Sequence, residues 1–318
     1  MRRMANVVSL FSRTRSEAPT EPVATGASDA LAQFVSGYSI EVMPRTAAKI
    51  ERFDEILPSE TRVYIAHIDG TPIEEMVETA VRLGEEGFRA MPHFPARIIQ
   101  DAKTLEDWIL RYKDAGVRQA LLLAGGVDQP KGDFHCSMQL METGLFDKHG
   151  FTRLHVAGHP EGNRDIDPDG SDANVAEALR WKQAFSERTD AEMAIATQFA
   201  FEAGPVIAWA GRLAAEGIKL PVHIGIAGPA KLQTLIKFSI ACGVGPSLRV
   251  LKRRALDMTK LLLPFEPTEV LTALAEHKAA NPGFGVEQVH FFPLGGVKAS
   301  VEWAAQRSLG AADDAQSA

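Results

Sequence analysis

The chain has 318 residues, 45% hydrophobic and 24% charged, with a net charge of -7 and a pI near 5.8. That acidic balance argues against a nucleic-acid binder, whose footprint is basic. Two cysteines far apart, Cys136 and Cys242, argue against a zinc ribbon or a disulfide framework and suit a reducing, cytoplasmic compartment. No apolar run approaches the ~18 residues of a membrane span, and the length suits one α/β barrel, for which about 250 residues are typical.

The N-terminus carries Arg2, Arg3, Arg13 and Arg15 and no acid before Glu17. It faintly resembles an organelle-targeting peptide but lacks the apolar core of a secretory signal. With the Ser, Pro, Gly and Ala richness of residues 16–29, the expectation is a flexible leader over 1–36. Short β-like runs then alternate with amphipathic stretches. Strands are expected at Ser39–Met43, Arg62–His67, Arg89–Pro92, Gln119–Leu123, Thr152–Ala157, Met193–Phe199, Pro221–Ile226 and Gln288–Phe292. Helices are expected at Pro72–Glu86, Thr104–Ala115, Asp172–Thr189, Pro205–Glu216 and Ala230–Ala241. An extra helical insertion, Pro246–Lys278, is split at Leu263-Pro264-Phe265, because proline ends a helix. Residues 309–318 read as a small-residue tail. Eight β/α repeats with no linker between them predict a single (β/α)8 TIM barrel over 37–308. An open doubly wound sheet would need a glycine-rich turn after the first strand, and Pro44-Arg45-Thr46 stands there instead.

Glu41 is the residue that most needs explaining. A carboxylate inside an apolar strand requires a partner, a raised pKa or a task. Arg45 or another barrel residue could be that partner. In a barrel, strand C-terminal ends converge on one mouth. Those ends carry Glu41, His67, Asp69, His93, Gly125-Gly126, His159-Pro160-Glu161-Gly162-Asn163 and Thr197-Gln198, with His223 and His290 in the last two strands. Two chemistries fit. One is a metal-dependent hydrolase using His67, Asp69, His93, His159 and His223, although no H-x-H or H-E-x-x-H spacing supports it. The other is a pocket for planar ligands. There Ala124, Gly125, Gly126, Ala157 and Gly158 let rings approach the backbone, Gln198 offers donor and acceptor, and Glu41 supplies a proton.

The motifs Ser39-Ile40-Glu41-Val42-Met43-Pro44-Arg45-Thr46, Met91-Pro92-His93-Phe94, Leu122-Leu123-Ala124-Gly125-Gly126, Ala157-Gly158-His159-Pro160-Glu161-Gly162, Leu179-Arg180-Trp181-Lys182, Ala196-Thr197-Gln198-Phe199 and His290-Phe291-Phe292-Pro293-Leu294 occur in one order over most of residues 38–306. Together they resemble the methylenetetrahydrofolate reductases, FAD-containing (β/α)8 barrels. The resemblance implies interconversion of 5,10-methylene- and 5-methyltetrahydrofolate with NAD(P)H as co-substrate. It implies Glu41 as general acid, and Gln198, Gly126, Leu232 and Phe292 at the folate. It further implies FAD contacts from His67, His93, Ala124, Gly125, His135, His159, Glu161, Asn163, Trp181 and Lys182. Neither a resident metal, a nucleic acid nor a membrane enters this reading, and a homo-oligomer is compatible with it.

Several positions depart from the family pattern. Ala124-Gly125-Gly126 stands for Arg-Gly-Asp, His159 for a tyrosine, Trp181 for a basic residue, Leu232 for an aromatic one and Gly295-Gly296 for Asn-Arg. A carboxyl acting as acid near neutral pH needs a pKa above its free ~4.3, and burial in the first strand is expected to raise that of Glu41. The alternatives are the metal hydrolase, which predicts zinc and no yellow colour, and a non-catalytic folate-binding barrel serving a methyltransferase.

Overall fold

The computed structural model describes residues 27–241, 251 and 264–315. Eight parallel strands close a barrel in sequence order, each paired to the next and the last to the first. They are β1 (Ser39–Val42), β2 (Arg62–Ile65), β3 (Arg89–Pro95), β4 (Gln119–Leu123), β5 (Arg153–Gly158), β6 (Glu192–Ala200), β7 (Val222–Ala227) and β8 (Val286–Phe292). The helices are α1 (Ala27–Val35), α2 (Pro44–Ala47), α3 (Ile73–Glu85), α4 (Ala102–Asp114), α5 (Ser137–Glu142), α6 (Leu145–Lys148), α7 (Ala173–Ser186), α8 (Ala203–Ala215), α9 (Leu232–Ala241), α10 (Thr268–Ala280) and α11 (Val297–Ala315). The predicted TIM barrel is therefore the observed fold. No helix among the described residues is long and apolar enough to cross a membrane.

Strand parity sorts the residues, because successive side chains point to opposite faces. Outward positions such as Ile40, Val42, Val63, Ile65, Leu122, Val156, Ile224 and Phe291 join the main apolar core. Burying each such side chain contributes ~1.5–3 kcal/mol. The helices meet this layer through stripes at helical spacing. In α3 these are Met76, Thr79, Ala80 and Leu83, with Glu74 and Glu75 in the first turn and Arg82 in the last, where each charge suits the helix dipole. Arg82 also donates to the Ala47 carbonyl at 3.0 Å, which ties the end of α2 to α3. Asp101 caps α4 by accepting from the Thr104 amide at 2.7 Å.

Gln119–Leu123 is as expected, and the other strands differ from the sequence expectation by one to three residues at one or both ends, since fraying and loop chemistry set them rather than hydrophobic pattern. The largest shift is at β3, which runs on to Pro95. Two expectations are corrected. The leader is helical over Ala27–Val35, where Ala30, Leu31, Phe34 and Val35 are buried in the main core. The C-terminal tail begins later than expected, because α11 continues to Ala315. Residues 1–26, and the parts of the 246–278 insertion at 246–250 and 252–263, lie outside the described residues. The part that is described places Phe265 in an antiparallel bridge with Ala230.

Candidate active site

Inward parity brings Ser39 and Glu41 of β1, Tyr64 of β2, His93 of β3, His155 of β5, His223 of β7 and His290 of β8 into the barrel. Their register is set by the pairs Glu41–Tyr64, Leu121–His155, Ser39–His290 and Gly225–His290. Glu41 sits near the top of this interior, its side chain about 19% exposed. Its neighbours are imidazoles rather than Arg45: Oε2 lies 3.2 Å from His93 Nε2 and 3.9 Å from His290 Nε2. The His93 contact misses the geometry of a hydrogen bond but keeps the ring close against the carboxylate. His290 is fully enclosed and its Nδ1 bonds Ser39 Oγ at 3.0 Å.

These contacts reverse the expectation for the Glu41 carboxyl. Burial does push its pKa up, but the charge of His93 and the contacts from both imidazoles outweigh it and bring the pKa down to about 2. Burial lowers the pKa of His290, with Glu41 opposing. Glu41 therefore rests as a carboxylate.

Of the positions expected at a folate, Gln198, Leu232 and Phe292 lie in or just after β6, β7 and β8 at the same end of the barrel. The β6–β7 register slips between Ala196 and Phe199, forming a bulge at Thr197-Gln198. Thr197 Oγ1 accepts from the Gly225 amide at 2.8 Å and donates to the Gln198 carbonyl at 2.7 Å, which holds the bulge. A Cβ at Gly225 would lie 2.4 Å from the Thr197 carbonyl oxygen and 2.7 Å from the Phe292 ring, so only glycine fits. The Phe292 ring lies 4.8 Å from that of His290. Leu232 is buried in a second apolar cluster with Phe199, Phe201 and Phe265, and Phe292 packs against that cluster.

The β3–β5 side of the mouth is built differently. Ala124 and Gly125 are half-buried and Gly126 is exposed. Gly125 has φ +99° and rests against Pro95. Nothing lies within 4 Å of a Cβ placed on Gly126. Lys182 reaches from α7 to the end of β5, where its Nζ donates to the Ala157 carbonyl at 3.1 Å. Burial brings its pKa down to about 8, a shift the nearby Cys136 slightly opposes. His159 is held neutral, its pKa lowered to about 4 by burial and then by the charge of Lys182. It borders a shallow, solvent-open cleft between α7 and α8, lined by Val175, Leu179, Trp209 and Leu213. Asn163 Oδ1 accepts from the Asp165 amide at 2.9 Å, within the turn that also carries Glu161.

Three residues expected at the cofactor have protein partners of their own. His67 falls outside β2 and stacks on Trp108 of α4 at 4.8 Å, with Nε2 on the Thr71 carbonyl at 2.9 Å. Trp181 stacks on Phe185 at 5.3 Å and lies beneath Arg188, an arrangement of the α7 surface. His135 is exposed, and its carbonyl accepts from Arg97 Nε at 3.2 Å. Among the described residues no three His, Cys, Asp or Glu groups converge as metal ligands. The hydrolase alternative therefore loses its ligand set: His67 turns to Trp108, and Asp69 pairs with Lys131 at 2.6 Å.

Sequence reading missed Arg97, just beyond β3. It gathers three loops by donating to the Val127 carbonyl at 3.0 Å, to the His135 carbonyl and to Asp165 at 3.3 Å. No motif announced it. It also missed Ser39, Tyr64 and His155, whose signal was available: they share parity with Glu41, His93 and His290 once the strands are in register.

No protein-family model matches the chain. Among solved structures, a Clostridium thermocellum protein of uncharacterised function that binds two copies of 5-methyl-5,6,7,8-tetrahydrofolic acid is similar with a TM-score of 0.54 at 11% identity, covering 88% of this chain and 98% of its own. A provisionally named phosphonomutase from Burkholderia cenocepacia J2315 aligns with a TM-score of 0.45 at 11% identity over 92% of this chain and 100% of its own. A conserved Enterococcus faecalis protein of unknown function aligns with a TM-score of 0.45 at 12% identity over 87% of this chain and 66% of its own. At these identities the likeness establishes the fold alone.

Proposed function

We infer that this chain is a cytoplasmic folate barrel that, with FAD and NAD(P)H, interconverts 5,10-methylene- and 5-methyltetrahydrofolate. The observation that carries the reading is the Glu41 carboxylate, held between two imidazoles beside Phe292 and the Gln198 bulge. The folate bound by the Clostridium thermocellum barrel agrees with a folate at the mouth of this fold. Glu41 exchanges a proton with N10 of the folate as the five-membered ring opens or closes. Its resting carboxylate is the accepting form, which oxidation of the methyl compound requires. Reduction of the methylene compound requires one proton to be loaded first. Gln198 offers a donor and an acceptor to the pterin edge, and Phe292 gives it an apolar face.

The residues present fit a flavin nucleotide. Gly126 leaves backbone open to a ring, and Lys182 is a buried ammonium with three N–H groups and one hydrogen-bond acceptor among the described residues. A diphosphate would relieve that under-satisfied charge. A bound flavin supplies hydride exchange between the nicotinamide and the one-carbon group. The test is the visible spectrum of protein given FAD, followed by anaerobic addition of 5-methyltetrahydrofolate. Bleaching of the flavin bands is expected. A flavin that binds but ignores the folate overturns the oxidoreductase reading, and a colourless protein that still binds the folate leaves only a binding barrel.

A further inference from the structure

Arg97 lies in the short 3-10 turn Ala96–Ile98 that follows β3, and the reaction above gives it no part. Its amide donates to the Ala124 carbonyl at 2.9 Å and its Nη1 to the Val127 carbonyl at 3.0 Å. One residue therefore holds both ends of the turn whose middle is Gly125-Gly126. Pro95 backs the same turn, since a Cβ on Gly125 would lie 3.0 Å from the Pro95 Cβ. Arg97 Nε donates to the His135 carbonyl at 3.2 Å, and Nη1 reaches Asp165 of the β5–α7 loop at 3.3 Å.

The main chain continues the attachment. The Arg97 carbonyl accepts from the Lys131 amide and the Gln100 carbonyl from the Asp133 amide, each at 2.8 Å. Between these two bonds Gly132 lies so close that an added Cβ would stand 2.1 Å from the Gln100 carbonyl oxygen. Segment 124–136, which joins β4 to α5, is thus laid along residues 97–100 with no helix or strand of its own. Loops of that kind are where barrels place their functions. A guanidinium suits the junction. It is planar and carries its N–H groups in a fixed fork, so one side chain serves carbonyls on different parts of the chain. The Arg97 side chain is about 17% exposed, against 62% for Asp165. An ion pair that open to water is worth little, so the weight falls on the carbonyl bonds.

We propose that Arg97 is the positioning residue of the Gly125-Gly126 turn: it binds the loops after β3, β4 and β5 into one body and so presents the Gly126 backbone to the flavin. The inference rests on the flavin reading of this mouth. Gly126 is open, with nothing within 4 Å of an added Cβ, so its place is set from its two flanks. Both flanks end on Arg97. Freed from the fork, the turn keeps its chain path but loses its aim. A backbone group misaimed by about 1 Å binds a rigid ring poorly.

The test compares Arg97→Lys and Arg97→Met in the full chain. Each should weaken FAD binding roughly tenfold, as loss of a charge-assisted hydrogen bond does, and leave 5-methyltetrahydrofolate binding within about twofold. Lysine keeps the charge and loses the fork. Wild-type FAD affinity in Arg97→Lys would mean that Arg97 acts through charge, and would overturn the proposal. Gly126→Ala supplies a readout that a merely structural role does not move. It covers the open backbone without a clash, so its effect on FAD affinity and that of Arg97→Lys should fail to add; additive losses overturn the proposal. Amide exchange of the apoprotein needs no flavin. In Arg97→Lys, residues 124–136 and 163–167 should lose protection together, while the Gly225 amide on Thr197 Oγ1 keeps its own. Loosening of one loop alone refutes the shared clamp. Should the Arg97 variants not fold, Gly132→Ala prises the same segments apart, and unchanged FAD affinity there counts equally against the proposal. Joint loosening in a protein that takes up no FAD keeps the clamp and sinks the flavin reading; tightly bound, folate-bleached FAD in Arg97→Lys does the reverse.

Discussion

The two sides of the mouth are prepared to different degrees. Across β8, β1 and β3, Glu41, His290 and His93 already meet at 3–4 Å, and charge has fixed the carboxylate in one state. Across β3 to β5, the site offers open backbone at Gly126 and a buried cation, Lys182, whose one acceptor among the described residues is the Ala157 carbonyl. Proton chemistry demands a preset geometry, because a displaced acid or base loses rate steeply. A nucleotide brings its own charges, so its cradle can stay open until it arrives.

That contrast is most severely tested at Glu41. Glu41→Gln should slow folate-dependent flavin bleaching by about 10²–10⁴-fold while leaving flavin reduction by NAD(P)H intact, as stopped-flow absorbance would show. Loss of both half-reactions would make Glu41 a structural residue and erase the distinction between the two sides.

Lys182 tests the other side. Lys182→Met should weaken FAD binding roughly ten- to a hundredfold, the ~1.5–3 kcal/mol of a charge-assisted hydrogen bond, measured by fluorescence titration. Its pH signature has a definite sign. Because the folded pKa of about 8 lies below the ordinary lysine value of 10.5, the unfolded chain binds the extra proton between them. Apoprotein stability should therefore rise with pH across that window, by up to about 3 kcal/mol relative to the Met variant. FAD affinity should fall over the same range as the ammonium is lost. Chemical denaturation of both proteins from pH 7 to 10.5 checks the first, and a stability difference that stays flat removes the buried-cation account.

Gly225→Ala should cost about 1–3 kcal/mol by overpacking, since its Cβ would strike the bulge and the Phe292 ring. Folate affinity should drop with it because Gln198 loses its setting, while FAD binding holds. Binding assays for the two ligands on one preparation separate these effects. Trp181→Leu should do least: FAD affinity within about twofold, and a stability loss of ~0.5–1.5 kcal/mol from the lost ring stack. A large cofactor defect there would show that Trp181 turns toward the nucleotide after all.

How much of this was legible in the sequence varies by residue. The strands of the barrel, Glu41 among them, were readable because parity and turn residues are local properties of the chain. The Thr197-Gln198 pair was readable as a motif, but the bulge was not, since it depends on where Gly225 of the next strand falls. The packing of His67 and Trp181 was not legible for a related reason. A residue one position past a strand, or one helical step around α7, changes the face it serves, and packing against Trp108 or Phe185 decides which. Arg97 was invisible, because its acceptors belong to loops 30 or more residues away in the chain.

The sequence by itself determined an eight-fold β/α alternation, an apolar outward face and a carboxylate on the inward face of the first strand. Only the tertiary structure decided what that carboxylate is. Burial alone would have raised its pKa, and a lone reading of β1 sees only burial. Barrel closure sets β8 beside β1 and carries β3 across the same mouth, bringing two imidazoles within 4 Å, and at that range the charge of His93 and the contacts from both rings together outweigh desolvation.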